Sequence, residues 1–337
     1  MVGRWLIQAN SNKVMNINCQ FKYSKPYLNI SNDLTKNHLQ INSVDYFVSY
    51  LSADNNSNKG GNSFVFKLFE AQNYDEDSEP SKVIKISRRS EFYNKGKVNP
   101  SVYNQRFRQE IEALYECKRQ GVDNVVEIEC DGNLICSVDD TQHGKKVSFP
   151  FYVMEYAESD LKSFMEDEGS SIDNASRIEI CLQLAQALNQ LYGMGYYHRD
   201  IKPDNIFLIN GTWKIGDLGL IHMRNKPSPD SEGELVGPRG WLSPEAMNKY
   251  LSEKVDNKKF DCEIDHRSDM FQMAKVFWYI LQGNAPIGNI RESDFLFHNS
   301  ELYAVIRQML NHSKKKRPET IGDVIESLQR IVVKYYK

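Results

Sequence analysis

The apolar and polar positions of this chain change rhythm part-way along. Between residues 44 and 157 they form short runs bounded by polar loops: Val44-Asp45-Tyr46-Phe47-Val48-Ser49-Tyr50-Leu51, Ser63-Phe64-Val65-Phe66-Lys67-Leu68-Phe69, Lys82-Val83-Ile84-Lys85-Ile86 and Phe151-Tyr152-Val153-Met154-Glu155-Tyr156-Ala157. Their alternation and their β-branched and aromatic content predict strands. One helical period interrupts the series. Phe107, Ile111 and Leu114 recur at four and three residues, Asn99-Pro100 offers an N-cap followed by proline at the first helical position, and Gly121 supplies the stop. Beyond residue 158 the helical period takes over. Ser171-Ile172-Asp173 precedes a segment in which Ile178, Leu182, Ala185, Leu188 and Tyr192 keep one face until Gly193 and Gly195, and a second apolar helix is predicted from Met270 to Leu281, headed by Asp269. A single hairpin sits between them. Two apolar runs, Ile206-Phe207-Leu208-Ile209 and Thr212-Trp213-Lys214-Ile215, are joined by Asn210-Gly211, the dipeptide of a type I′ turn. Residues 1–43 hold no sustained period and read either as a loosely ordered arm or as a small strand-rich cap. The whole is an α+β chain: an extension over 1–43, a strand-rich region with one helix over 44–157, and a mainly helical region over 158–337.

Composition narrows the function classes. The 337 residues suffice for one large or two modest domains, and a net charge of −3 gives no global electrostatic case for nucleic acid or an anionic membrane. Six cysteines lie without C-x-x-C spacing or a histidine cluster, so neither a zinc site nor a disulfide framework is indicated. The start lacks the apolar run of a signal peptide, and the strongest apolar run, Val276 to Leu281, is too short to span a bilayer. A cytoplasmic protein is expected.

The chemistry concentrates around the hairpin. His198-Arg199-Asp200-Ile201-Lys202-Pro203-Asp204-Asn205 enters it and Asp217-Leu218-Gly219 leaves it. Asp200, Asn205 and Asp217 bring oxygens that suit a hard cation such as Mg²⁺, and Lys202 suits a phosphate. H-R-D-x-K-P-x-N followed by D-L-G resembles the catalytic core of the eukaryotic-type (Hanks-type) serine/threonine protein kinase family. The resemblance implies a bilobal protein-kinase fold, with a small antiparallel β-sheet N-lobe plus one helix and a larger, mainly helical C-lobe. It runs over about residues 44 to 335. It implies a serine/threonine kinase transferring the γ-phosphoryl of Mg-ATP to a protein hydroxyl, with Asp200 as base, Lys202 offsetting charge, and Asn205 and Asp217 holding Mg²⁺. Lys85 stands where the family's V-A-I-K lysine contacts the α and β phosphates, and Glu110 where its helical partner does. Gly60, Gly61, Val65 and Val83 would line the nucleotide. Met154, Glu155 and Ala157 resemble the hinge that meets the adenine. Ser243-Pro244-Glu245 resembles A-P-E and Arg317-Pro318 the R-P whose arginine pairs with it, while Asp269 resembles the aspartate that braces the catalytic loop.

Several positions depart from the family pattern. Asn58, Gly60 and Ser63 occupy the three glycine positions of the phosphate loop, Val83 replaces the usual alanine, and Pro238 stands where a threonine is usual. An alternative therefore stays open: a pseudokinase or scaffold that binds nucleotide without efficient transfer. A small-molecule kinase on a related fold fits less well, because such enzymes lack the A-P-E and R-P pair. In relatives Arg199 pairs with a phosphate in the loop that follows Asp217. Ser228 and Ser231 are the candidates for autophosphorylation, and Asp230, Glu232 and Glu234 are candidates for built-in negative charge. The charged stretch Lys249 to Ile264 reads as a surface insertion.

Overall fold

A computed structural model describes residues 2–7, 13–22, 25–31, 33–51, 63–94, 97–137, 146–227, 230, 234–252 and 260–335. The chain divides into two compact units, Met1–Tyr115 with Glu127–Tyr156, and Glu116–Val126 with Ala157–Lys337.

The first unit is an antiparallel sheet. Its strands are β1 Val2–Ile7, β2 Lys13–Lys22, β3 Lys25–Asn29, β4 His38–Ile41, β5 Val44–Tyr50, β6 Ser63–Glu70, β7 Lys82–Ser87, β8 Glu91–Asn94, β9 Lys97–Asn99, β10 Ile128–Ser137 and β11 Lys146–Glu155. The order is β3-β2-β1-β10-β11-β7-β6-β5-β4, with β8 pairing β11 and β9. Position in this order explains the sequence patterns. On β6, Phe64, Phe66 and Leu68 are buried and alternate with half-buried Val65, Lys67 and Phe69; β7, held between β6 and β11, is buried from Val83 to Ser87. Val48, Phe66, Leu68, Ile84, Phe149 and Phe151 form the centre of the core.

One open alternative is decided here and one expectation changes. The described residues before 44 are largely strand, as in the strand-rich alternative, and β1 pairs with β10 through Trp5, Leu6 and Ile7. These strands are not legible as a period because ladder hydrogen bonds hold the backbone whatever the side-chain sequence. The helix carrying Glu110, α1 Gln105–Arg119, begins well after Asn99-Pro100. Asn99 instead ends β9, opposite Phe92, and the Ser101 N–H donates to Glu91 Oε1 at 3.1 Å. Buried Glu91 also accepts from Asn104 Nδ2 at 3.0 Å and pairs with Arg108 at 2.5 Å, so a distant carboxylate fixes where the helix starts. The expected apolar face is present: Phe107, Ile111 and Leu114 are all buried.

The second unit is mainly helical: α2 Leu161–Asp167, α3 Asn174–Gly193, α4 Pro244–Ser252, α5 His266–Gln282, α6 Ser300–Met309 and α7 Ile321–Tyr335, with short strands β12 Ser159–Asp160, β13 Tyr196–Tyr197, β14 Ile206–Ile209, β15 Thr212–Ile215 and β16 His222–Met223. Lys249 to Ser252 belong to α4 rather than to a loop. Asp173 caps α3 by accepting from the Ser176 N–H at 2.8 Å. The cap of α5 is Asp265, in a capping box with Ser268, which places Asp269 inside the first turn. α5 is the post of this unit. Met270, Met273, Val276, Phe277, Ile280 and Leu281 are buried along it, each contributing about 1.5–3 kcal/mol of burial. Arg317 and Glu245 pair in the interior, Nη2 to Oε1 at 2.8 Å, with both side chains at most 2% exposed. Among the described residues no helix is long and apolar enough to cross a membrane.

Candidate active site

The hairpin at the centre of the second unit forms as expected. Ile206 pairs with Ile215 and Ile209 with Thr212, and Asn210 and Gly211 take φ of 49° and 73°, the left-handed pair that a type I′ turn needs. The preceding loop hangs from α5 by its backbone. Asp269 Oδ2 accepts the His198 N–H and Oδ1 the Arg199 N–H, both at 2.7 Å. Burial pushes the Asp269 carboxyl up to about 7 against the pull of those two bonds. His198 is fully enclosed and its pKa falls to about 4, chiefly through desolvation. It is therefore neutral. Its Nδ1 accepts the Asp200 N–H at 3.2 Å, so Nε2 carries the proton and donates to Gly216 O at 3.1 Å, tying the loop to the far end of the hairpin.

Asp200, Lys202 and Asn205 come together. Asn205 Nδ2 donates to the Asp200 main-chain oxygen at 2.9 Å and to its Oδ2 at 2.7 Å, and Lys202 Nζ lies 3.6 Å from the same Oδ2. Both bonds use the Asn205 amide nitrogen, and its amide oxygen takes part in neither. Burial raises the Asp200 pKa to about 6, opposed by Lys202 and aided by the charge of Asp217. Asp217 itself sits in left-handed backbone at φ 52°, the single-residue kink by which the chain leaves β15. Arg199 is also left-handed, at φ 68°. Such backbone costs of order 1–3 kcal/mol and persists only where its surroundings enforce it.

In the first unit Lys85 Nζ meets Glu110 Oε1 at 2.7 Å, with the side chains 10% and 2% exposed. β6 sets Val65 opposite Lys85, and β11 sets Met154 opposite Val83 and Glu155 opposite Lys82. The Glu155 N–H donates to Glu127 O at 3.2 Å.

Residues 59–335 match the family described as Protein kinase domain. The chain belongs to the protein kinase family. It is 29% identical over 157 residues to the RAF proto-oncogene serine/threonine-protein kinase of Xenopus laevis, covering 45% of this chain and 23% of that one. Over 141 residues it is 33% identical to the serine/threonine-protein kinase cds1 of Schizosaccharomyces pombe, 41% of this chain and 29% of that one. Over 160 residues it is 26% identical to the dual specificity protein kinase TTK of Mus musculus, 46% of this chain and 18% of that one. The matched stretches thus span less than a third of each relative. The order of a strand-rich sheet followed by a mainly helical region agrees with the bilobal fold of the family.

Within this member of the protein kinase family the expected site residues fall into two groups, Val65, Val83, Lys85, Glu110, Met154 and Glu155 in the first unit, and Ala157, Asp200, Lys202, Asn205 and Asp217 in the second. Gly60 and Gly61 lie outside the described residues, as do Ser228 and Ser231. Of the candidates for built-in charge, Asp230 meets Arg199 as a bidentate pair at 2.9 and 2.9 Å, and Lys249 reaches the same carboxylate at 2.9 Å. Arg199 Nε donates to Leu220 O at 2.7 Å.

Sequence reasoning missed Tyr152. Its hydroxyl donates to Glu110 Oε1 at 2.9 Å and its ring packs 5.5 Å from that of Phe107, so it adds a second contact to the acid of the Lys85–Glu110 pair. The available signal was a tyrosine within the apolar run Phe149 to Val153, since the hydroxyl of a buried tyrosine usually finds a partner. Tyr152→Phe should lose about 1–2 kcal/mol in urea unfolding at unchanged m value. A loss below a few tenths would mean that the hydroxyl contributes nothing to holding Glu110.

Proposed function

We propose that this protein is a serine/threonine protein kinase that transfers the γ-phosphoryl of Mg-ATP to a hydroxyl on a protein substrate. The observation that carries the reading is the joint setting of Asp200: its side chain only 13% exposed, bonded to Asn205, within reach of Lys202, and held by a loop whose backbone is fixed from α5. The donor set fits the implied groups. Asn205 and Asp217 offer amide and carboxylate oxygens for a hard cation, which when bound neutralises charge on the phosphates. Lys85, held by Glu110, is suited to the α and β phosphates, and Gly60-Gly61, Val65, Val83, Met154, Glu155 and Ala157 to the rest of the nucleotide.

In the step proposed, Asp200 orients the acceptor hydroxyl and takes its proton as the oxygen bonds to the γ-phosphorus. The bond from that phosphorus to the β–γ bridging oxygen breaks, and ADP leaves with the electron pair. Lys202 offsets the charge that builds on the transferring group. The serine/threonine preference is supported by Lys202 two residues after Asp200 and by the printed names of two relatives.

Intact-mass spectrometry after incubation with Mg-ATP, alone and with casein and histone, tests the reading. Phosphate should appear with the native chain and be lost in Lys85→Met, and mapping would report on Ser228 and Ser231. Thermal stabilisation by Mg-ATP with no transfer to any acceptor would favour the nucleotide-binding pseudokinase, a reading to which Pro238 lends weight. Neither transfer nor stabilisation would overturn both.

A further inference from the structure

Asp269 accounts for the N–H groups of His198 and Arg199, but it does not reach the peptide groups on either side of Asp200. A second side chain from α5 does. Gln272, one turn after Asp269, is 3% exposed, and both ends of its amide are engaged. Its Oε1 accepts the Ile201 N–H at 3.1 Å and its Nε2 donates to the Arg199 carbonyl oxygen at 3.3 Å. The two bonds bracket Asp200. With Asp269 they hold Arg199 at its N–H and at its carbonyl, and Arg199 is the residue in left-handed backbone. A side-chain amide suits this task because it presents one donor and one acceptor in a plane, matching a carbonyl and an N–H that both face α5.

The neighbouring chain is shaped around the same contact. At Gly237, φ 114°, a backbone that L side chains rarely adopt, a Cβ would stand 2.8 Å from Leu242 Cδ2, 3.1 Å from Arg199 O and 3.3 Å from Gln272 Nε2, so a side chain there would be strained and would crowd this contact. Four groups therefore meet behind the base: Asp269, Gln272, the Arg199 peptide and the Gly237 backbone.

We propose that Gln272 is a positioning residue for phosphoryl transfer, fixing the direction of the Asp200 carboxylate by clamping the peptides before and after it. This rests on Asp200 being the base proposed above. Loss of the clamp leaves Asp200 in place but lets Arg199 relax toward ordinary backbone, which turns the carboxylate away from the acceptor hydroxyl. The defect then lies in the chemical step and not in nucleotide binding.

Two variants separate the contributions. Gln272→Met keeps the volume and removes both bonds; Gln272→Glu keeps an acceptor for the Ile201 N–H and loses the donor to Arg199. For Gln272→Met we expect kcat to fall about 10- to 100-fold with KM for ATP within about two-fold of the native chain, and faster hydrogen exchange confined to the peptide spanning residues 197–206. Gln272→Glu should fall between the two. A residue that served only global stability would lower the melting point and raise exchange throughout, leaving kcat per folded molecule unchanged. The proposal is overturned if Gln272→Met retains kcat within two-fold, or if its loss appears in KM instead. Should Gln272→Met fail to fold, an unchanged kcat in Gln272→Glu overturns it equally. If the native chain transfers no phosphate, the functional reading falls while exchange still decides the clamp: protection of residues 197–206 equal in native and Gln272→Glu proteins overturns it.

Discussion

Asp200→Asn is expected to lower kcat about 100- to 10,000-fold while leaving KM for ATP and the melting point close to those of the native chain. The substitution keeps the shape of the side chain and an oxygen that can accept from Asn205, now 2.7 Å from Oδ2. It removes the group that takes the proton. Stability should not suffer. Asp200 already resists ionisation, its pKa lifted to about 6 by burial, so a neutral amide in its place relieves an unfavourable carboxylate at neutral pH. Steady-state kinetics with a phosphorylatable protein, beside a thermal melt, checks both halves. A variant with kcat within a few-fold of native would remove Asp200 from the role of base, and one that melts far earlier would make it a structural residue.

The second large effect is on stability. Arg317→Ala should cost about 3–5 kcal/mol, a large part of the 5–15 kcal/mol typical of a whole domain. All five guanidinium N–H groups of Arg317 are engaged. Nη1 and Nη2 reach Glu245 at 3.1 and 2.8 Å, Nη1 also donates to Arg267 O at 2.8 Å, Nη2 to His312 O at 3.2 Å, and Nε to Asn311 O at 2.8 Å. The plane also lies 4.8 Å from the Phe271 ring. Truncation abandons a carboxylate in the interior that still accepts from Ser268 Oγ at 3.2 Å, together with three carbonyl oxygens. The uncompensated charge dominates the loss. Accordingly Arg317→Met combined with Glu245→Leu should recover at least half of it, because an apolar pair of similar volume carries no desolvation penalty. Urea unfolding of the two single variants and the double variant measures the coupling. Additive losses would show that Arg317 stabilises through its carbonyl contacts and packing and not through Glu245.

What the sequence revealed followed from how local each determinant is. The hairpin was readable because Asn210-Gly211 is a self-sufficient turn signal, and α3 and α5 because their apolar period outlasts any competing pattern. Asp200, Lys202 and Asn205 were readable as a chemical set at fixed spacing, and the structure brings those three side chains together. The start of α1 was not, since the residue that decides it, Glu91, lies far back along the chain and acts through Ser101 and Asn104. Tyr152 and Gln272 were hidden for a related reason. Each is a polar residue within an apolar element, and its partner is set by tertiary packing alone. The strands before residue 30 join the sheet through β1, which pairs with β10, a contact that no local pattern announces.

That pairing has a consequence for how the protein behaves among its neighbours. A strand with one open side presents a row of N–H and C=O groups that any other extended chain can join. β10 is ten residues long, and its stretch from Leu134 to Cys136 would be such an opening if β1 were not paired with it. By continuing through β2 the chain shifts the open side to β3, a five-residue strand that carries Pro26, which has no N–H to offer, beside Lys25. At the other end of the pairing order is β4, only four residues long, which also lies close to β2. Among the described residues the pairing order therefore ends on both sides in short strands, which offer few backbone groups for another extended chain to join.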